Sequence, residues 1–234
     1  VGSIIGHGTQ IGDLLYKTGP VFASSDGFRI VICGKGGHAS GPDQVNNPIL
    51  AAAAFIEATQ GLVARTAQSD VPTVLAITGI NGGNGAVNIV PDTVEIVGGF
   101  RTLDSEVREK IIAEMERTLK NCAEIYHCNA SMKLILGCPP TVNDRKTTEE
   151  FINSARKIIS SDRIIQLEKA TMGGEDASYY FQKVPGCYTF LYNSCPSDDG
   201  QEYPHHNGRF NINDSVLYLG SAVFVQAVLD QLRE

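Results

Sequence analysis

The sequence predicts an α/β chain interrupted by an inserted α+β unit of ferredoxin-like order, strand–helix–strand–strand–helix–strand. Three observations carry this. Four short runs, Phe28–Cys33, Thr73–Ile80, Thr93–Arg101 and Ala130–Leu136, have the β-branched composition of strands. Two longer stretches between them repeat apolar residues at helical spacing. The pair Pro139–Pro140 then closes the run and marks a boundary.

Each element has its own signal. "FRIVIC" alternates and is β-branched. Pro48 stands near a helix start, where its missing N–H is harmless, and apolar residues recur from Ile49 to Ala64. Pro72 ends that connection, "TVLAITGI" reads as a strand, "NGGNG" (Asn81–Gly85) as a loop and "TVEIVGGFR" as a further strand. The next helix takes Ser105 as N-cap and places Val107, Ile111, Ile112, Met115 and Leu119 on one stripe. "ASMKLIL" completes the unit. Beyond the prolines the sequence predicts a helix near 148–159, a strand at Ile164–Leu167, a short helix near 176–182, a strand at Cys187–Tyr192 and a last helix near 214–232. The expected division is 1–20 and 139–234 as parts of one α/β domain, with 21–138 inserted between them.

Composition excludes several roles. The chain has 234 residues, 42% hydrophobic and 19% charged, as in ordinary globular proteins. No apolar run approaches the roughly 18–20 residues of a membrane span. A net charge of −7 without a Lys/Arg cluster argues against nucleic acid. The start carries no basic n-region or cleavage site and is not expected to be a signal peptide. It also lacks a methionine, and the expectation is a chain whose N-terminal part lies upstream. Six cysteines without a CxxC pair are too few for a disulfide scaffold; reduced thiols and a cytoplasmic location follow as expectations.

The chemistry-bearing candidates lie in glycine-rich loops. "GKGGHASG" (Gly34–Gly41) surrounds His38 with four glycines. Its lysine comes too early for a phosphate-binding P-loop, and no Ser/Thr follows it directly. "GGNGAVN" (Gly82–Asn88) runs into Ile89-Val90-Pro91 and opens no helix, so it is no dinucleotide turn. Most such loops are plain turns. Here two of them flank one small sheet and carry His38 and Asn88, which favours a shared site. His7 follows an apolar run, and His205 and His206 lie in "YPHHNGRF"; histidine is a common zinc ligand, though a lone one is more often structural. His127, at a helix end, suits the helix dipole.

Taken together and in order, "GKGGHAS", "NIVPDTVEIVGGFRTLD", "PPTVND", "TMGGEDASYYFQKVPG" and "YPHHNGRF" resemble the dinuclear-metal amidohydrolases of metallopeptidase family twenty. The subfamily resembled holds N-acyl-amino-acid, hippurate and auxin-conjugate hydrolases, and the resemblance runs from about Ile4 to the C-terminus. It implies an α/β catalytic domain carrying two divalent metal ions, zinc or manganese, and a ferredoxin-like insert acting as lid and homodimerisation surface. The reaction implied is hydrolysis of an amide bond in an N-acyl amino acid or peptide-like substrate, by metal-bound water and a glutamate base.

The resemblance also implies roles. His7 matches a mid-chain metal ligand and His206 a C-terminal one, while His205 falls at a variable position. His38 matches the lid histidine that reaches the partner subunit's site and polarises the scissile carbonyl. Asn88 and Arg101, thirteen residues apart, match substrate-binding lid residues, and Arg101 suits a carboxylate because its fork binds both oxygens. Gly174, in "GGED", lies where the family places its substrate pocket. The glycines around His38 are then expected to let the lid loop lie close to substrate. Two family features are absent: the first metal motif, a C-G-H-D-x-H-like run, and the glutamate pair. Two histidines cannot hold two zinc ions, each of which takes about four ligands. Two expectations follow: a portion of a hydrolase without its N-terminal half, or a non-catalytic dimerisation or small-ligand module.

Overall fold

The computed structural model describes residues 9–233. In chain order it contains β1 (Leu14–Tyr16), β2 (Gly19–Phe22), β3 (Ser25–Cys33), β4 (Gly37–His38), α1 (Pro48–Gln60), α2 (Leu62–Thr66) and β5 (Thr73–Gly82). There follow β6 (Ile89–Val90), β7 (Thr93–Thr102), α3 (Ser105–Ile125), β8 (Asn129–Cys138), β9 (Thr141–Asn143) and α4 (Arg145–Ala155). The last elements are β10 (Ile164–Gln166), α5 (Ala177–Phe181), β11 (Thr189–Leu191) and α6 (Leu217–Gln231). Contacts divide the described residues into two compact units, one of residues 24–139 and one of residues 9–23 with 140–233.

The 24–139 unit holds a four-stranded sheet in the order β5-β7-β3-β8, with every neighbour antiparallel. Alternation decides which side chains enter the core. Phe28, Ile30 and Ile32 of β3 and Val94, Ile96 and Phe100 of β7 are buried. They meet Ala51, Ala52 and Phe55 of α1 and Val107, Ile111, Met115 and Leu119 of α3. The α3 residues recur at four-residue steps and so form one stripe. Burying a large apolar side chain of this kind stabilises by about 1.5–3 kcal/mol. The other sheet face carries Arg29, ion-paired with Glu95 across β3 and β7.

Local signals set the helix ends. Asn47 caps α1 by accepting from the Ile49 N–H, with Pro48 as the first helical residue. The apolar stretch to Ala64 is broken at Gly61, which divides it into α1 and α2. The cap of α3 is Asp104 instead of Ser105: its carboxylate accepts from the N–H groups of Glu106 and Val107, at 2.8 and 2.9 Å. At the other end the Cys128 N–H donates to Ala123 O and the His127 N–H to Glu124 O, with His127 left-handed at φ 54°. This is a Schellman closure with histidine at the usual glycine position. Asp26, at the start of β3, is buried and accepts from Arg108 Nε at 2.9 Å and Nη2 at 2.8 Å.

In the other unit β1 lies between β10, parallel, and β11, antiparallel. β2 pairs with β9. Leu14, Ile152, Ala155, Ile159 and Val223 form its buried cluster. Asn143 ties three segments: its amide donates to Lys17 O and Tyr188 O, and its carbonyl accepts from the Tyr188 N–H. The last helix begins at Leu217 behind a 3-10 turn, Asp214–Val216, a little later than the sequence predicts. All six cysteines are free, and no helix among the described residues is long and apolar enough to cross a membrane.

Candidate functional site

The glycine loop after β3 is shaped by close approach of backbone to backbone. A Cβ at Gly34 would stand 2.0 Å from Asn46 O, and one at Gly36 would stand 2.6 Å from Val90 O. Neither has a left-handed φ, so the requirement is room for the neighbouring chain. Those two contacts pin the loop against residues 46–48 and 90–92, and the ladder bonds agree. The Lys35 N–H donates to Asn46 O, and Gly34 N–H to Asp92 O. The glycines thus hold the loop against its own chain, a use that the sequence reading, which turned them toward substrate, did not include.

β4 and β6 form a two-residue ribbon in which His38 stands opposite Ile89. The Ala39 N–H donates to Asn88 O at 2.9 Å. His38 and Asn88 are therefore neighbours, and both are exposed. The His38 ring is held by Ser40: Nδ1 accepts from the Ser40 N–H at 3.1 Å, with Ser40 Oγ at 2.7 Å. Ser40 went unnoticed in the sequence; the available signal was a hydroxyl residue two places after the histidine, a spacing that favours local bonding.

Arg101 is at the opposite end of the sheet. It sits one residue from the end of β7, half-buried, in register with Val74 of β5. The ribbon adjoins the Cys33–Thr93 end. From Thr93 to Arg101 the strand runs about 26 Å at roughly 3.3 Å per residue. One small molecule cannot touch His38 and Arg101 of the same chain.

In the other unit, His206 lies in an exposed turn with φ 68°. Left-handed backbone at a non-glycine residue costs about 1–2 kcal/mol and concentrates at functional positions. Its neighbour His205 packs against Phe210 in a tilted arrangement, centroids 4.5 Å apart, and burial is the first cause lowering its pKa. Gly174 is exposed, between the Phe22–Thr171 bridge and α5. Next to it Glu175 accepts from the Tyr188 hydroxyl at 3.3 Å, and burial followed by Glu175 raises the Tyr188 pKa. His7 lies outside the described residues. Among the described residues no three His, Cys, Asp or Glu side chains gather as a metal site. These residues alone do not fit a two-metal centre.

Residues 23–127 match the peptidase dimerisation domain family of M20. Thermostable carboxypeptidase 2 of Saccharolobus solfataricus is 35% identical over 206 residues, which cover 88% of this chain and 51% of that protein. IAA-amino acid hydrolase ILR1-like 4 of Arabidopsis thaliana is 31% identical, covering 96% of this chain and 51% of its own length. Among solved structures, the Bacillus subtilis YxeP protein, described as a dinuclear metal binding peptidase from the M20 family, aligns with TM-score 0.72 at 25% identity. That alignment covers 97% of this chain and 55% of that one. The chain spans about half the length of the curated relatives it matches. Residues 23–127 thus match an M20 peptidase dimerisation domain, and the chain as a whole is similar to carboxypeptidases and amino acid hydrolases about twice its length.

Proposed function

We propose that this chain supplies the lid and part of the catalytic domain of a homodimeric hydrolase. The enzyme cleaves an amide bond in N-acyl amino acids or similar small amides with two divalent ions, zinc or manganese. The 24–139 unit is the ferredoxin-like lid and dimerisation surface. His206, and His7 by resemblance, contribute to the metal shell, whose other ligands these described residues do not supply. His38 donates to the oxygen that gains charge when the scissile carbonyl is attacked, and Asn88 binds beside it. Arg101 takes the substrate carboxylate, and Gly174 borders the pocket. Six free thiols and the lack of a membrane-spanning helix among the described residues support a cytoplasmic setting.

The observation that carries this reading is the length of β7. His38 and Asn88 adjoin the Thr93 end and Arg101 lies near the other, about 26 Å along the strand from Thr93. They can act on small substrates only by serving two different sites, as happens when each lid reaches into the partner's site.

Subunit complementation of the full-length protein tests this. His38→Ala should lower kcat about 10²–10³-fold, the usual loss for an oxyanion donor, and leave metal content unchanged. His206→Ala should lose metal and activity together. A mixed dimer of the two should regain part of the activity, because one of its sites has both an intact metal shell and an intact lid histidine. Absence of rescue after subunit exchange is verified would sink the across-dimer role. Absence of any hydrolysis by the parent enzyme, over a panel of N-acyl amino acids with both metals, would leave a non-catalytic dimerisation or small-ligand module.

A further inference from the structure

We infer that Ser40 is a positioning residue for His38: its N–H and hydroxyl hold the imidazole as the Nε2–H tautomer. The inference rests on the lid-histidine reading for its catalytic meaning, but its geometry stands independently.

A backbone N–H can only donate. The Ser40 N–H reaches His38 Nδ1 at 3.1 Å, so Nδ1 must present its lone pair there. The Ser40 hydroxyl, 2.7 Å from the same nitrogen, then donates as well. In a neutral imidazole one nitrogen carries the proton and the other accepts, and the bond made by one sets the identity of the other. Nε2 is left as the ring's only N–H. The turn that presents Ser40 is closed by its own backbone bonds: the Gly41 N–H donates to His38 O at 3.0 Å and the Ala39 N–H to Asn88 O at 2.9 Å. These bonds hold the Ser40 turn against Asn88 without any substrate contact.

The chemical consequence concerns a developing oxyanion, which needs a donor already aimed at it. A freely tautomerising ring spends part of its time with the proton on Nδ1 and a lone pair on Nε2, which would repel that oxygen. Two donors on Nδ1 suppress that form. They also restrain rotation of the ring about its bond to the chain.

Long-range ¹⁵N–¹H spectra of the 234-residue chain labelled with ¹⁵N-histidine test the inference directly. His38→Gln identifies the signals. In the parent chain at a pH where His38 is neutral, Nδ1 should show the shift of an acceptor nitrogen and Nε2 that of a protonated one. Ser40→Ala, which removes the hydroxyl and keeps the backbone N–H, should move both part of the way toward the exchange-averaged values of an unrestrained imidazole, and Ser40→Thr should keep the parent shifts. A role for Ser40 in the turn alone would not move the ring nitrogens. A protonated Nδ1 in the parent, or ring shifts unchanged by Ser40→Ala, overturns the inference. In the full-length enzyme Ser40→Ala should lower kcat roughly 2–10-fold, the worth of one hydrogen bond, with KM and metal content unchanged and with recovery in Ser40→Thr. If His38→Ala has no effect on kcat, the lid-histidine reading fails while the tautomer result stands. If only the ring shifts disagree, the lid histidine stands and Ser40 loses its role.

Discussion

Arg108→Met isolates the buried ion pair at the start of β3. The Asp26 side chain is 0% exposed and that of Arg108 18% exposed. Both carboxylate oxygens are engaged, one by Nε and one by Nη2. A Cβ at the neighbouring Gly137 would fall 2.0 Å from Asp26 Oδ1, so there is no room for another side chain to take over from the guanidinium. Removing Arg108 leaves a buried carboxylate without its partner, at a cost of about 3–5 kcal/mol. At about 2 kcal/mol per molar urea, the unfolding midpoint of the 24–139 unit should fall by about 1.5–2.5 M. Circular dichroism in urea reads the midpoint, and hydrogen exchange over β3 and α3 assigns the loss to this unit. The double variant Asp26→Val/Arg108→Met removes both charges and should recover at least half the loss. A single-variant cost below about 1 kcal/mol would mean that solvent reaches the pair and that the burial argument is wrong. A double variant as unstable as the single one would place the cost in lost packing by the Arg108 stem.

Two further outcomes follow from side chains at helix ends. Asp230, bonded to Lys157 Nζ and Ser154 Oγ at 2.7 Å each, has its pKa lowered to about 2, with the Lys157 bond the largest cause and the Ser154 bond next. A lowered folded pKa adds stability above the unfolded value near 3.9 and loses it as pH falls through about 2. Asp230→Asn should therefore be less stable than the parent at pH 7, with the gap closing between about pH 4 and pH 2 in thermal melts. His127→Gly should raise stability by about 0.5–1 kcal/mol, because glycine accepts φ 54° without the cost a Cβ imposes, less its greater freedom when unfolded. A lower midpoint would show that the His127 side chain makes a compensating contact.

How much could be read from the chain depended on the length of each signal. α3 was legible because Val107, Ile111, Met115 and Leu119 repeat at four-residue steps over more than three turns and leave little choice of face. The long strands β3, β5, β7 and β8 were legible for the same reason, and their ends moved by only a few residues. β1, β2, β9 and the β4–β6 ribbon are two to four residues long, and what makes them strands is a partner far away in sequence. The neighbourhood of His38 and Asn88 was foreshadowed by two glycine loops flanking one sheet. The distance to Arg101 was not, since thirteen residues of sequence separation conceals a turn followed by a nearly full-length strand. Asp26 and Arg108, 82 residues apart, had no sequence signal linking them.

β7 also acts as a ruler, and that constrains how this chain can change over time. Val94, Ile96, Phe100 and Thr102 are buried, and the alternation sets Arg101 on the other face of the sheet. One residue inserted between Val94 and Phe100 would turn Arg101 toward the helices and send Phe100 outward, because a strand repeats every two residues. Two residues would restore the faces and lengthen the span to the ribbon by about 7 Å. Length variation should therefore collect in loops and leave β7 itself unchanged. A lineage that altered the span between the ribbon and Arg101 would have to change β7 in steps of two residues.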